Sequence, residues 1–312
     1  MRWELPGTLL VLCAACGPNA RTSPSVDGGG GANGDRADAA PWEGSDGGTC
    51  TEVVDVVLVL DVSSSMGFVL DDLERDIDEV VDAANQLAPD AHVGLIAFAD
   101  NHMLDASGDL EGGRVHTTAA TLVSAFRRIQ STYTDANRNP GDGPSGPTFQ
   151  NPVCEENALD ALHAAATDYP WRDDATRVII LATDDTFLER PDNYGDRDGD
   201  GDTTSTSFPR EGDYPAAWTV PETIGALTDA KARVFSFTLL RPPGAFDRCD
   251  TPRRFAWSDI TDGWTTSYAG NAPIPETTDG RNFDLAKVQN GQLSLADTIS
   301  EVVVESHCDP VE

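Results

Sequence analysis

Basic residues are scarce in this 312-residue chain, which has 21 lysines and arginines against 53 aspartates and glutamates and a net charge of −32. Such acidity disfavours nucleic-acid phosphates and anionic lipid head groups, so we expect neither as a partner. The five histidines show no metal-ligand spacing. The charge favours solubility, cation binding or a salty habitat, and a solvated acidic surface with no specific role is the alternative.

Familiar catalytic signatures are also missing. The chain contains no Gly-x-Ser-x-Gly nucleophile elbow, no phosphate-binding loop and no dinucleotide-binding fingerprint. Carboxylates are so abundant that any pair of them is uninformative about acid–base catalysis. We therefore do not expect an enzyme, and a metal-assisted hydrolase is the alternative.

The amino terminus resembles a bacterial export signal. Leu5 to Leu12 is a short apolar core, far below the roughly 18 residues that a membrane span needs. The Cys-Ala-Ala-Cys that ends at Cys16 resembles a lipobox, which predicts a signal peptide over residues 1–16 and a lipid on Cys16. We expect an outer-membrane-anchored lipoprotein that faces the periplasm or the cell surface. An ordinary signal cleaved near Ala15, giving a secreted protein, is the alternative.

A low-complexity stretch and four further cysteines follow. Residues 17–49 are rich in glycine, serine, aspartate and proline and bury too little apolar surface to fold, so they predict a flexible tether. Disulfides suit an exported protein, and four cysteines allow three pairings: Cys50, Cys154, Cys249 and Cys308. If the ends of the domain meet, Cys50 would pair with Cys308, and Cys154 with Cys249.

Strand and helix patterns alternate from residue 53 onward. Continuous apolar runs predict buried strands, and apolar residues spaced by three or four predict helices. The predicted strands are 53–60, 92–100, 177–183, 233–240 and 282–285, and the predicted helices are 67–87, 121–129, 155–166, 221–232 and 295–305. This alternation predicts an α/β fold, doubly wound and Rossmann-like, with a mainly parallel central sheet and helices on both faces.

Three long connections enlarge the predicted domain, which covers residues 50–308. They lie at 131–153, 186–218 and 241–281. Each should open at the carboxyl edge of the sheet, because two follow strands and one precedes a helix. Open α/β sheets bind ligands at that edge.

One run at that edge carries candidate metal ligands. The first strand ends in Asp-x-Ser-x-Ser, which supplies Asp61, Ser63 and Ser65. A carboxylate and two hydroxyls make an all-oxygen, weakly charged cradle suited to a hard divalent cation. Thr148 and Asp184 would add two more oxygen ligands from the same edge. A serine-rich turn that merely caps the next helix is the alternative.

These pieces together resemble a von Willebrand factor type A domain with a metal-ion-dependent adhesion site. The matching segments are DVVLVLDVSSSMG, HVGLIAFAD, the GPT before a helix, VIILATDD, and IPETTDGRNFDL with its terminal helix. The resemblance implies that Ser63, Ser65 and Thr148 hold Mg²⁺ or Mn²⁺ directly. Asp61 and Asp184 would act largely through water.

Two positions depart from the family pattern. Thr148 lies in a long, proline-rich loop, in which Thr132 and Thr134 are rivals for its role. Asp185 stands where the family commonly has glycine, which would add charge near the metal.

The resemblance also implies a function. In this family, a carboxylate from a partner protein fills the open coordination position of the metal. We therefore expect a protein or peptide partner with an acidic side chain, and membrane contact only through the lipid anchor on Cys16. A structural envelope protein whose metal only stabilises it is a further alternative.

A second acidic run, DRDGDGDTT, has aspartates at alternating positions: Asp196, Asp198, Asp200 and Asp202. It resembles the front half of a calcium-binding loop but lacks the terminal glutamate. The pattern predicts Ca²⁺ binding that orders the 186–218 connection, with a solvated acidic loop as the alternative.

Overall fold

A computed structural model describes residues 53–87, 91–99, 101–134, 155–192, 216–240 and 260–307, and within them six strands form one sheet. The strands are β1 (Val54–Asp61), β2 (His92–Phe98), β3 (His102–Leu104), β4 (Thr176–Thr183), β5 (Ala232–Thr238) and β6 (Asn282–Asp284). Their order is β3-β2-β1-β4-β5-β6. Every neighbouring pair is parallel except β2 and β3.

Seven helices accompany the sheet in the described part of the chain. They are α1 (Gly67–Leu87), α2 (Ala119–Ile129), α3 (Ala158–Thr167), α4 (Val220–Asp229), α5 (Ile274–Thr277), α6 (Leu285–Gln289) and α7 (Leu295–His307). Short 3₁₀ turns cover Ser64–Met66 and Glu111–Gly113, and a π-helical turn covers Gln130–Thr134.

The sheet separates two hydrophobic cores. Alternate side chains of β1 point to opposite faces, as the pleat of a strand requires. On one face, Leu58 packs in a core with Ile77 of α1, and α2 and α7 complete that layer. On the other face, Val57 packs in a core with Leu162 of α3, next to α4. The predicted doubly wound, mainly parallel sheet with helices on both faces is confirmed.

Several element boundaries differ from the sequence-based prediction. Helix α3 begins at Ala158 rather than residue 155, because Glu156 forms a bridge with Phe187 instead of a helical turn, and its N–H donates to the Thr186 carbonyl at 2.9 Å. Helix α2 begins earlier than predicted, at Ala119. The predicted strand 92–100 ends at Phe98.

Three short elements were not predicted at all. Strand β3 has three half-buried residues and pairs antiparallel with the end of β2. Helix α5 lies within the predicted 241–281 connection, and helix α6 follows β6 directly. The Asp284 side chain caps α6 by accepting the Ala286 N–H at 3.0 Å.

Candidate metal centre

The topology brings two acidic residues together at the carboxyl edge of the sheet. The central strands β1 and β4 are parallel neighbours. After β1 the chain continues to β2 on one side of this pair, and after β4 it continues to β5 on the other side. Asp61 is the last residue of β1, and Asp184 follows the last residue of β4. Open α/β sheets bind ligands in the crevice at such a switch point.

Asp61 organises the turn that follows β1. It is fully buried, and its Oδ1 accepts the Ser63 N–H at 2.8 Å. Its Oδ2 accepts the Thr183 hydroxyl at 2.9 Å. The Val62 N–H donates to the Phe98 carbonyl at 2.9 Å, which fixes the turn against β2 as well. The carboxylate is thus held on one oxygen by the neighbouring strand β4 and on the other by its own turn.

The two serines link the two carboxylates through the Ser63 N–H, which donates to Asp61, and through their hydroxyls. Ser63 Oγ lies 3.0 Å from Ser65 Oγ, and the Ser65 hydroxyl donates to Asp184 Oδ1 at 2.9 Å. Both serines are half-buried, whereas Asp184 is 4% exposed. Hydrogen bonds therefore connect Asp61, Ser63, Ser65 and Asp184 into one group of side chains.

Electrostatics at this group favour a cation. Burial first, and then the neighbouring negative charge of Asp184, raise the pKa of Asp61 to about 7, against a smaller lowering by the hydrogen bonds from Ser63 and Thr183. Two carboxylates in one buried site repel each other, and a divalent cation would remove that repulsion. The donor set consists of oxygen alone, which suits Mg²⁺ or Mn²⁺.

The candidate threonines for the third hydroxyl ligand differ in burial and contacts. Thr134 is fully buried, and its hydroxyl donates to the Val62 carbonyl at 3.0 Å, one residue from Ser63. Thr132 is exposed. Thr148 lies outside the described residues. Of the two candidate threonines that the structure describes, Thr134 is thus the one bonded to the turn that carries the two serines.

Two further acidic residues close to this edge were not recognised from the sequence. Glu155 and Glu156 are 1% and 3% exposed. The neighbouring Asn157 N–H donates to the Ala99 carbonyl at 2.7 Å, and Glu156 pairs with the segment after β4, so this stretch spans the ends of β2 and β4. The available signal was the pair of glutamates directly before a helix, which reads as an ordinary first turn. Asp185 is half-buried, and its N–H donates to the Thr183 hydroxyl at 3.3 Å.

A conventional metal cluster is absent from the part of the chain that the structure describes. No group of three or more histidine, cysteine, aspartate or glutamate side chains is placed to hold a metal ion there. The candidate centre consequently depends on its serine hydroxyls as much as on its carboxylates.

Several predicted sites lie outside the described residues. These are the lipidation site Cys16, the disulfide candidates Cys50, Cys154, Cys249 and Cys308, and the calcium-loop aspartates Asp196, Asp198, Asp200 and Asp202. Within the described ranges, no helix combines the length and the apolarity that crossing a membrane takes.

Several solved structures are similar to this chain at low sequence identity. No family description and no curated protein sequence matches this chain. An aerotolerance-related membrane protein from Bacteroides fragilis, bearing multiple mutations to serine, is 14% identical over 81% of this chain and 98% of its own, with a TM-score of 0.38. The conserved hypothetical protein BatB from Bacteroides thetaiotaomicron is 15% identical over 81% and 98%, with a TM-score of 0.41.

A third solved structure comes from a different setting. Proximal thread matrix protein 1 from the mussel byssus is 14% identical over 81% of this chain and 46% of its own, with a TM-score of 0.41. At such identities and TM-scores, these likenesses carry no argument about function.

Proposed function

We propose that this chain is a von Willebrand A-type domain that binds Mg²⁺ or Mn²⁺ and captures a carboxylate of a partner protein through the ion. The observation that supports this most is the group formed by Asp61, Ser63, Ser65 and Asp184, which lies at the switch point between β1 and β4. The doubly wound sheet, with Asp-x-Ser-x-Ser at the end of its central strand, also agrees with the resemblance.

Each residue has a distinct proposed role. The Ser63 and Ser65 hydroxyl oxygens would hold the ion directly, while Asp61 and Asp184 would balance its charge, largely through water. Neutral hydroxyls neutralise less of the ion's charge than carboxylates would. The bound ion would therefore supply a strong Lewis-acid attraction for an incoming carboxylate.

The third hydroxyl is proposed to come from Thr148, with Thr134 as its rival. The contact that favours Thr134 is the hydrogen bond from its hydroxyl to the carbonyl of Val62, the residue before Ser63. That hydroxyl already donates its proton and keeps oxygen lone pairs for a cation. Separate alanine substitutions at the two threonines distinguish them, because only the true ligand affects metal affinity strongly.

A binding role is proposed in preference to catalysis. Both carboxylate oxygens of Asp61 accept hydrogen bonds, from the Ser63 backbone and the Thr183 hydroxyl. A carboxylate held in this way is suited to orienting its turn and is poorly available as a general base. The export signal and lipobox-like Cys16 further suggest a lipoprotein displayed at the bacterial cell envelope.

Metal binding is tested by thermal unfolding and calorimetry in EDTA, Mg²⁺, Mn²⁺ and Ca²⁺. A ligand at 100 times its dissociation constant stabilises the folded state by about 2.7 kcal/mol. We expect Mg²⁺ or Mn²⁺ to stabilise the wild type, and Asp61→Ala and Ser65→Ala to lose that effect. Ser124→Ala, an exposed serine on α2, is the matched control and should keep it.

Two results would redirect the proposal. Equal stabilisation of wild type and Asp61→Ala by Mg²⁺ would rule out this centre. Stabilisation by Ca²⁺ that persists in Asp61→Ala would point instead to the aspartates at 196–202.

The carboxylate half is tested separately with acidic peptides and their glutamine counterparts, in Mg²⁺ and in EDTA. Binding that requires both the acidic side chain and the metal supports capture through the ion. Equal binding of the glutamine peptides, or binding unaffected by EDTA, contradicts it.

A further inference from the structure

A small pocket lies at the amino edge of the sheet, opposite the candidate metal centre. It has a volume of about 110 Å³, enough for one small oxyanion with some water. It is formed where β4 and β5 begin and where helices α4 and α7 end. The lining side chains that matter here are Asp173, Arg177, Asp229, Lys231, Arg233 and Ser306.

The pocket concentrates positive charge in an acidic protein. Three of the 21 basic residues line it, against two carboxylates, although the chain as a whole carries −32. Among the residues that the structure describes, neither Arg177 nor Lys231 forms an ion pair with a carboxylate. Within that part of the chain, the positive charge of these two side chains is thus not neutralised by direct pairing.

Arg177 is held in a fixed position by backbone carbonyls rather than by a carboxylate. Its Nη1 donates to the Ala230 carbonyl and its Nη2 to the Arg172 carbonyl, each at 2.8 Å. These bonds satisfy a carbonyl at the end of α4, so the guanidinium is oriented by neutral groups. A pre-oriented guanidinium loses little freedom when it binds an anion.

Lys231 occupies a backbone position that ordinarily belongs to glycine. It directly follows Ala230, the C-cap residue of α4, and has a φ of 50°, in the left-handed region. Glycine adopts this conformation without steric cost, whereas a residue with a Cβ is strained there. A lysine retained at such a position suggests a role for its side chain, and the pocket supplies one. It is one of two lysines in the chain, the other being Lys287.

Ser306 gives an independent indication of a ligand. This serine of α7 lines the pocket, is 0% exposed, and its hydroxyl makes no hydrogen bond to the residues described. A buried hydroxyl without a partner is costly, and such groups usually have a partner such as water or an ion. A ligand oxygen in the pocket would provide the missing acceptor.

We propose that this pocket binds a phosphate-class oxyanion, either free or as the terminal phosphate of a small molecule. Arginine and lysine are the residues that proteins use for such groups, because they combine charge with several N–H donors. Ser306 would donate one further hydrogen bond. This site shares no residue with the metal centre and does not depend on it.

The test uses calorimetry and thermal unfolding of the whole protein in EDTA, with inorganic phosphate or glycerol phosphate compared with chloride at equal ionic strength. EDTA removes any contribution from the candidate metal centre. We expect phosphate to bind and to raise the unfolding temperature more than chloride. Binding of glycerol phosphate would indicate a phosphate monoester, and binding of inorganic phosphate alone would indicate the free anion.

Lys231→Gly separates binding from stability. This variant removes a charge and relieves the left-handed strain, so without phosphate it should unfold at the same or a higher temperature. Its phosphate affinity should nevertheless fall by about tenfold, as expected for loss of one charged contact. Ser306→Ala should also bind phosphate more weakly while folding normally. Lys287→Gly, at the other lysine, should bind phosphate like the wild type.

Two outcomes would overturn the proposal. One is phosphate stabilising the wild type no more than chloride does. The other is Lys231→Gly binding phosphate as tightly as Lys287→Gly.

Discussion

At the scale of single residues, a buried aspartate is stabilised by several partners away from the candidate metal centre. Asp105 is 1% exposed and accepts the Ser107 hydroxyl at 2.7 Å and a bond from Arg128. His116 Nε2 lies 3.1 Å from its Oδ2. Burial alone would raise the pKa of Asp105, but hydrogen bonds from His116 and Ser107 outweigh it and lower the pKa well below its usual range. The carboxylate is therefore more stable ionised in the folded protein than in the unfolded chain.

Replacing this carboxylate should destabilise the fold in a pH-dependent way. We expect Asp105→Asn to lower the free energy of unfolding by about 2–4 kcal/mol at pH 7, because it weakens a buried, charge-assisted network. A lowered folded-state pKa stabilises above the unfolded pKa of about 3.9, and this contribution is lost as the pH falls toward the folded value. The difference between wild type and variant should therefore shrink below about pH 4, which urea unfolding at several pH values measures.

Asp109→Asn is the matched control for this prediction. Asp109 lies in the same connection but is exposed, and its carboxylate accepts hydrogen bonds from the Thr117 N–H and hydroxyl. Its loss should cost less than about 1 kcal/mol. Equal costs for the two variants, or a cost for Asp105→Asn that does not change with pH, would contradict the proposed network.

At the scale of elements, α4 begins with a reciprocal cap. The Thr219 hydroxyl accepts the Glu222 N–H at 3.4 Å, and Glu222 Oε2 accepts the Thr219 N–H at 2.9 Å. Pro221 occupies the first turn, where its missing N–H has no cost. This cap sets where α4 starts and thus the path of the chain toward β5.

Thr219→Ala should remove half of this cap. We expect the free energy of unfolding to fall by about 1 kcal/mol, the usual cost of losing a threonine cap. Thr228→Ala, at an exposed position of the same helix, should change stability by less than about 0.5 kcal/mol. Chemical denaturation compares the two, and an indistinguishable pair would mean that the cap contributes nothing.

Elements with strong hydrophobic patterns could be predicted from the sequence, and short ones could not. β1 and β4 are buried on both faces and therefore read as continuous apolar runs. β3 has three half-buried residues, and its pairing with β2 is set by tertiary contacts that no local pattern records. Glu155 to Asn157 form part of a helical pattern in sequence, but backbone bonds from Glu156 and Asn157 to the segments after β4 and β2 keep them out of the helix.

The candidate site, too, was predictable only where local sequence patterns determine the structure. Asp61 and Asp184 could be placed together because both end parallel strands, and neighbouring strands of that kind share one edge. The contact of Thr134 with the turn after β1 joins residues 72 positions apart. It depends on how a π-helical turn packs, which is not visible in the sequence.

At the scale of the whole molecule, the two edges of the sheet differ in chemistry. The carboxyl edge gathers buried acidic residues, including Asp61 and Asp184, whereas in the pocket at the amino edge three basic side chains outnumber two carboxylates. This separation would place the proposed cation site and the proposed anion site at opposite ends of β4. Ligands at the two sites would consequently not compete for the same surface.

The proposed envelope location gives a prediction for the whole protein. Cys16→Ser should move the protein from the membrane fraction to the soluble fraction, because the acyl chains that would hold it there could no longer be attached. Cys13→Ser, in the same short motif, leaves the acceptor cysteine in place and should keep the protein in the membrane fraction. Fractionation of cells that export each variant measures this. Membrane association of Cys16→Ser equal to that of the wild type would disprove the anchor.

The central position of β1 has a mechanical consequence. An anchor attached before Val54 and a partner held at Asp61 would pull on the two ends of this one strand. β1 is paired along its length with β2 on one side and β4 on the other, both parallel to it. Tension between those two ends would run along the covalent backbone of β1, and the share that Asp184 passes to β4 would load the β1–β4 ladder in shear rather than opening its hydrogen bonds one at a time. A tethered domain built this way would resist traction between a cell and whatever it holds.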